Sequence, residues 1–565
     1  MEEERGDLRW GTIGRLLGDA ATRFGDSEAL VDPTGDDGAG ARFSYLELYE
    51  RAQAVARALI AAGLEPGDRV AIWAPNIWEW PVVCCGLHLA GGVLVPLNTR
   101  YKGIEAAYIL NRSRAKFLFT VQGFLGNNYV TMLGDQQLEN LERVVVLRGE
   151  TTDGSESCDD FMALDAGSES SAGRELVERV QNQSPDSLSD IMFTSGTTGA
   201  PKGVMCTNGQ TVRAFNDWSS IVGLSAQDRY LIINPFFHAF GYKAGLVASL
   251  TKGCAMITQA VFDVGAAVES IEREKVSMIP GPPTLYQTIL ANPDLDFERL
   301  SSLRLAVTGA AVVPVELINR MRTDLGFETV ITGYGLTEAC GVAAMCRHDD
   351  SDELISRSSG RAIPGVEIQV VDDSGKELPR GETGELVIRG YNVMLGYFES
   401  PEQTADTIDS EGWLHTGDLG TMDSDGYIRI TDRKKDMFIV GGFNAYPAEI
   451  EALLSAHPDI AQSAVIGVAD DRMGEVGYGF VILKPGATCE AAELKAWARE
   501  NMANYKVPTY FEIISEMPLN ASGKVLKTEL RQRAQATLGS GTGVTSAGVT
   551  STGTVPGVNK EGQSS

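Results

Sequence analysis

The chain has 565 residues, 43% of them hydrophobic and 22% charged, an ordinary globular composition with room for roughly two to four domains. Its 48 basic and 76 acidic side chains leave a formal charge of −28, which excludes nucleic acid and anionic membranes as principal partners, since both require a basic surface. Eight scattered cysteines with no CxxC pair and five isolated histidines imply neither a disulfide framework nor a zinc cluster, and fit a reducing compartment.

In chain order, "MEEERGD" is acidic where a signal peptide is basic, and no apolar run of membrane-spanning length follows. Cytoplasmic residence without an integral membrane segment is therefore expected. Ser44 and Glu47 form a capping-box pattern; Leu48, Ala52, Val55 and Leu59 share one helical face, and Gly63 stands where that helix should stop. The strand "RVAIW" follows. Pro81 to Leu97 is the longest apolar stretch, but it contains His88 and three glycines and reads as buried core. Helix, turn and short apolar strand then alternate through "AKFLFT", "ERVVVL", "DIMFT" and "LRLAVTG", the pattern of an α/β protein with largely buried sheets. From about Val366 to Ile430 short β-rich runs separated by Gly and Asp predict a small antiparallel or barrel-like subdomain. After "DRKKD" a separate α+β unit begins: a helix opened by Pro447, a strand at "SAVIGV", a helix at "AAELKAWAREN" and a strand at "FEII". The last stretch, rich in Gly, Ser and Thr, lacks large apolar residues and reads as a disordered tail.

Between "DIMFT" and the next apolar run lies "TSGTTGAPKG", Thr194 to Gly203. Glycines allow close backbone approach, and hydroxyls, backbone N–H groups and an ammonium all donate to phosphate oxygens. It is not a Walker loop, because Pro201 precedes Lys202 and Gly203 follows it. Four further segments matter. "PFFHAFGYKAG" gathers aromatics around His238, "GYGLTE" puts Tyr334 beside glycines and Glu338, "GWLHTGD" ends at Asp418, and "PLNASGKVLK" holds Lys524.

These motifs, in this order and with "DRKKDMFIVGGFNAYPAEIE" between the last two, resemble the adenylate-forming superfamily of acyl-CoA synthetases, luciferases and peptide-synthetase adenylation domains, over roughly residues 10 to 535. The resemblance implies a large N-terminal AMP-binding domain of stacked α/β subdomains with the β-barrel-like piece, residues 1–434. A small mobile α+β domain over 435–538 and the tail 539–565 complete the chain. It implies ATP, CoA and Mg²⁺ as cofactors, a small-molecule carboxylic acid as substrate, and admits a homodimer. A carboxylate attacks the α-phosphate of ATP to give an acyl-adenylate, and a thiol then displaces AMP.

By the same resemblance Thr194, Ser195, Gly196, Thr197, Thr198, Gly199 and Lys202 face phosphates, with Gly309, Gly333 and Gly335 lining the nucleotide. Glu338 and Thr198 hold Mg²⁺, Thr337 lies near the α-phosphate, and Tyr334 stacks on adenine. Asp418 and Arg433 take the ribose hydroxyls, and Lys524 is the adenylation lysine. His238 orients or gates the acyl group, Lys435 is the hinge, and Gly442 lines the pantetheine passage. Within the superfamily the chain is most similar to actinobacterial ligases of fatty acids or of the propanoate left on partly degraded sterol rings. A ligase that loads a carrier protein, and a non-catalytic scaffold of the same fold, are the alternatives.

Overall fold

The computed structural model describes residues 11–34, 40–134, 136–194, 200–281, 283–292, 295–309, 313, 315–433, 437–518, 525 and 527–539. They form two compact units, one made of residues to Thr194 and from Pro201 to Arg433, the other running from Met437 to Gly539. The tail expected over 539–565 lies, from residue 540 on, outside the described residues.

Two nine-stranded sheets dominate the large unit. In one, the strands Glu28–Asp32, Ala255–Thr258, Arg229–Ile232, Met278–Pro280, Leu305–Gly309 and Thr329–Tyr334 lie side by side and parallel. Short antiparallel strands close both of its edges. In the other, Leu188–Thr194, Val93–Pro96, Arg69–Trp73, Ala115–Phe124 and Arg143–Arg148 run parallel, and Lys202–Thr207 and Gly396–Tyr397 continue it antiparallel. Strands buried on both faces need unbroken apolar sequence, which is why "RVAIW" and "VLVP" carry almost no polar residue.

The helix Tyr45–Ala61 shows how local code and packing agree. Ser44 accepts from the Glu47 N–H while the Glu47 carboxylate accepts from the Ser44 N–H, a cap contributing about 1 kcal/mol. Leu48, Ala52, Val55 and Leu59 are buried, and Gly63 leaves the helix at φ +91°, where a Cβ would be strained. The Pro81 to Leu97 stretch is the buried helix Glu79–Leu89 followed by the buried strand Val93–Pro96.

Val366–Val371, Gly384–Gly390, Leu414–Met422 and Ile428–Arg433 form a four-stranded antiparallel sheet in chain order. In the small unit a five-stranded sheet is backed by the helices Pro447–Leu454, Ala491–Asn501 and Lys527–Gly539. Its long hairpin, Ile460–Asp470 with Gly474–Leu483, has a second arm that the strand reading from sequence omitted, as it did the last helix. No helix among the described residues is long and apolar enough to cross a membrane.

Candidate active site

Open α/β sheets bind ligands beyond the carboxyl ends of their parallel strands, where backbone donors and loops converge. The sequence motifs sit there. Thr194 ends Leu188–Thr194, Gly309 ends Leu305–Gly309, and Tyr334 ends Thr329–Tyr334, with Gly309 opposite Gly333 in the ladder. Ser195, Gly196, Thr197, Thr198 and Gly199 lie outside the described residues, but the two ends of their loop are placed: Thr194 and Lys202 are cross-strand partners.

Glu338 lies on a single 3₁₀ turn, Thr337–Ala339, entered from Gly335. A Cβ on Gly335 would stand 2.2 Å from the Gly341 carbonyl oxygen, so only glycine lets these backbone segments touch. Thr337 opens the turn and its carbonyl accepts from the Cys340 N–H at 3.0 Å. The Glu338 carboxylate accepts at Oε1 from the Tyr397 hydroxyl, 2.9 Å, and from Thr194 Oγ1, 3.4 Å. Its pKa is raised by burial, against the opposing pull of its own backbone N–H, Tyr397 and the Lys202 charge. The Lys202 ammonium stands 4.7 Å from the centre of the Tyr397 ring. Tyr397 went unread in the sequence. Its signal, the "GY" that begins the short strand Gly396–Tyr397, is too brief to stand out, and its relation to Glu338 depends on tertiary pairing.

Among the nucleoside candidates, the Tyr334 hydroxyl donates to Asp418 Oδ2 at 2.6 Å. Asp418 lies on Leu414–Met422 with Arg433 as its register partner on the neighbouring strand, so both ribose candidates occupy one rung. The hinge candidate Lys435 and the catalytic candidate Lys524 lie outside the described residues. Gly442, in the small unit, is exposed at φ +86° with no atom within 4 Å of where a Cβ would be.

His238 is exposed at the surface, and the protein packed around its ring desolvates it and lowers its pKa. Its Nδ1 accepts from the Phe240 N–H at 3.2 Å. Of the aromatics around it, Phe236 and Tyr242 are core residues, Phe236 stacking on Trp80 with ring centres 4.9 Å apart, whereas Phe240 is partly open.

The same segment carries a feature the sequence reading passed over. Lys243, inside a π-helical turn, is fully buried, with Nζ 3.0 Å from Asp190 Oδ1 and 3.4 Å from Cys340 Sγ. Cys340, in left-handed backbone at φ +57°, also meets Thr211 Oγ1 at 3.6 Å. A lone lysine in the apolar run "YKAGLVASL" was the available signal, because an ammonium there must find a buried anion. Among the described residues one further group has ligand spacing, His457, Asp459 and Cys489 of the small unit, but His457 Nδ1 already accepts the Asp459 N–H.

This cluster of a desolvated carboxylate, an ammonium and hydroxyls beside a tyrosine–aspartate pair suits a phosphate, a hard dication and a nucleoside. The family model for AMP-binding enzymes matches residues 17–398, and that for the AMP-binding enzyme C-terminal domain matches residues 449–524. The chain is an AMP-binding enzyme.

A bicyclic ring-propanoyl:CoA ligase of Rhodococcus jostii, acting on a 7a-methyl-1,5-dioxo-octahydroindenyl propanoate, is 45% identical over 92% of this chain and 98% of its own. The enzyme of the same name from Mycobacterium tuberculosis is 46% identical over 87% of this chain and 94% of its own. Among solved structures, an amide bond synthetase from Marinactinospora thermotolerans superposes with a TM-score of 0.78 at 29% identity, over 92% of this chain and 99% of its own. The o-succinylbenzoate CoA synthetase of Bacillus subtilis superposes with a TM-score of 0.75 at 28% identity, over 92% and 98%. The AMP-binding enzyme described here is an AMP-forming acid–thiol ligase, and the cofactors of its class are ATP, CoA and Mg²⁺.

Proposed function

We propose that this ligase activates the propanoate side chain of a bicyclic ring system, the skeleton left when a sterol nucleus is partly degraded, in preference to a simple fatty acid. The observation that supports the substrate is the 45% identity, over nearly the whole of both chains, to a ligase named for such a propanoate. The observation that supports the chemistry is the meeting of Thr194, Lys202 and Glu338 at the carboxyl ends of two sheets.

A carboxylate is a poor electrophile; one of its oxygens would bond to the α-phosphorus of ATP as pyrophosphate leaves, and the AMP of the resulting mixed anhydride is a leaving group that a thiol can displace. Negative charge spreads over phosphate oxygens in that exchange, so preorganised donors and cations do the stabilising. Lys202 and the hydroxyls of Thr194, Ser195, Thr197 and Thr198 would hold phosphate oxygens; Tyr334, Asp418 and Arg433 would hold the nucleoside. Glu338, a hard oxygen donor whose desolvation favours a cation beside it, fits Mg²⁺, with Thr198 as the second candidate ligand. The metal would supply charge neutralisation at the phosphates. His238 would orient the acyl carboxylate. Lys524 would serve adenylation from the small domain, hinged at Lys435, and Gly442 would line the thiol's approach. The division at 1–434, 435–538 and 539–565, cytoplasmic residence and a homodimer belong to the same proposal.

The test is a carboxylate panel scored by pyrophosphate release and by thioester formation with free CoA. It would include short, medium and long fatty acids, aryl acids and bicyclic propanoates. Preference for a bicyclic propanoate is expected; a long-chain optimum overturns the substrate, and adenylate without thioester overturns CoA as acceptor.

A further inference from the structure

The residue that ties the metal candidate to the phosphate candidate is neither of them. Tyr397 is 7% exposed and lies on the edge strand Gly396–Tyr397, paired antiparallel with Lys202–Thr207 so that Tyr397 faces Val204. Around it the backbone is laced to both partners. The Met394 N–H donates to the Glu338 carbonyl at 2.9 Å, the Leu395 N–H to Met205 O at 3.0 Å and the Phe398 N–H to Gly203 O at 2.7 Å. The strand is also clamped from outside: the Tyr397 N–H donates to Thr404 Oγ1 at 2.9 Å, and Arg112 Nη2 donates to the Phe398 and Glu399 carbonyls at 3.0 and 2.9 Å. Gly396 permits the fit, because a Cβ there would meet Thr404 Cγ2 at 2.7 Å in a backbone of φ +139°.

A tyrosine in a core usually spends its hydroxyl on a nearby carbonyl. Tyr397 instead donates to Glu338 Oε1, while its ring face lies under the Lys202 ammonium. One rigid side chain with only two rotatable torsions thus sets the aim of an anion and the seat of a cation.

We infer that Tyr397 is a positioning residue for adenylation, its hydroxyl orienting the Glu338 carboxylate toward Mg²⁺ and its ring seating Lys202 for the phosphates; this rests on the reading of Glu338 and Lys202 given above. Hydroxyl and ring have separable effects. Tyr397→Phe removes the hydrogen bond to a charged acceptor, so the Mg²⁺ concentration needed for half-maximal adenylation rises, and the adenylation rate falls, each on the order of tenfold. Tyr397→Leu also removes the ring face and adds a rise of a few-fold in KM for ATP.

The experiment compares wild type, Tyr397→Phe, Tyr397→Leu, Glu338→Gln and the double variant Tyr397→Phe/Glu338→Gln as full-length proteins. Pyrophosphate release is followed against Mg²⁺ and ATP, thioester formation from supplied acyl-AMP separately, and melting temperature alongside. Calorimetric titration of Mg²⁺ into protein holding α,β-methylene-ATP gives a readout independent of turnover. The expected result is weaker Mg²⁺ binding and slower adenylation in Tyr397→Phe, unchanged thioester formation, and a double variant no slower than Glu338→Gln alone. Wild-type Mg²⁺ dependence in Tyr397→Phe with Glu338→Gln impaired overturns this inference alone. Equal slowing of both half-reactions does the same, since it marks a merely structural tyrosine. Near-wild-type adenylation by Glu338→Gln overturns the inference together with the site reading beneath it.

Discussion

Replacing Lys243 by methionine should destabilise the large unit by about 3–5 kcal/mol, the cost of breaking a buried ion pair from one side. The ammonium stands 3.0 Å from Asp190 Oδ1 and neither side chain is exposed at all. At that separation the attraction is about 5–6 kcal/mol for an effective dielectric constant near 20. Desolvating each ion costs several kcal/mol, so the intact pair contributes little net. Removing only the cation leaves the carboxylate in the core with the Ser189 hydroxyl, 2.6 Å from Oδ2, as its remaining hydrogen-bond donor among the described residues. Methionine keeps the length of the stem, which isolates the charge.

For a unit of this size about 1–2 °C of melting temperature accompany each kcal/mol, by extension of the inverse size scaling, so the loss should be roughly 3–10 °C. Scanning calorimetry at pH 7.5 reads it, and Asp190→Asn/Lys243→Met should regain most of it because no uncompensated charge is left. Burial pulls the Lys243 pKa down, but Asp190 with Cys206 and Cys340 outweigh it and hold it well above the ordinary value. The pairing is then fully present below the unfolded lysine pKa of about 10.4 and is lost only as pH rises through the higher folded one, so the difference should be constant from pH 7 to about 9. A single variant melting within about 1 °C of wild type, or a double variant melting below both singles, would refute the reasoning.

Burial, aided by the Lys243 charge, lowers His88 to about 3, so the native state refuses a proton that the unfolded chain accepts below about 6.5; stability should fall by about 1.4 kcal/mol per pH unit from there to about 4.5. His88→Gln should flatten that limb of melting temperature against pH, and an unchanged slope counts against the buried neutral imidazole. Gly335→Ala puts a methyl 2.2 Å from the Gly341 carbonyl oxygen and should displace the turn that carries Glu338, with adenylation lost on the order of a hundredfold; wild-type pyrophosphate release from this variant would show that the loop yields freely. A Cβ at Gly442 meets no atom within 4 Å, so Gly442→Leu should cost a backbone strain of about 1–2 kcal/mol and keep acyl-AMP formation while losing thioester formation. Lys524→Ala should do the reverse when given preformed acyl-AMP, and single-turnover assays of each step distinguish the two.

What the sequence determined by itself was everything whose cause is local or periodic. Ser44 and Glu47 announce a helix start because the capping bonds span three residues, and "RVAIW" announces a buried strand because no polar face is needed there. "TSGTTGAPKG" stands out as a phosphate-site candidate because the residue types that suit a phosphate are contiguous in the chain. The tertiary structure alone decided which distant groups meet. That Thr194 and Lys202 share a rung, that Tyr397 donates to a carboxylate 59 positions earlier, and that Lys243 is neutralised by Asp190 follow from sheet order and register. Such contacts leave no periodic trace, because a strand of two residues or a single buried lysine owes its place to what lies across from it.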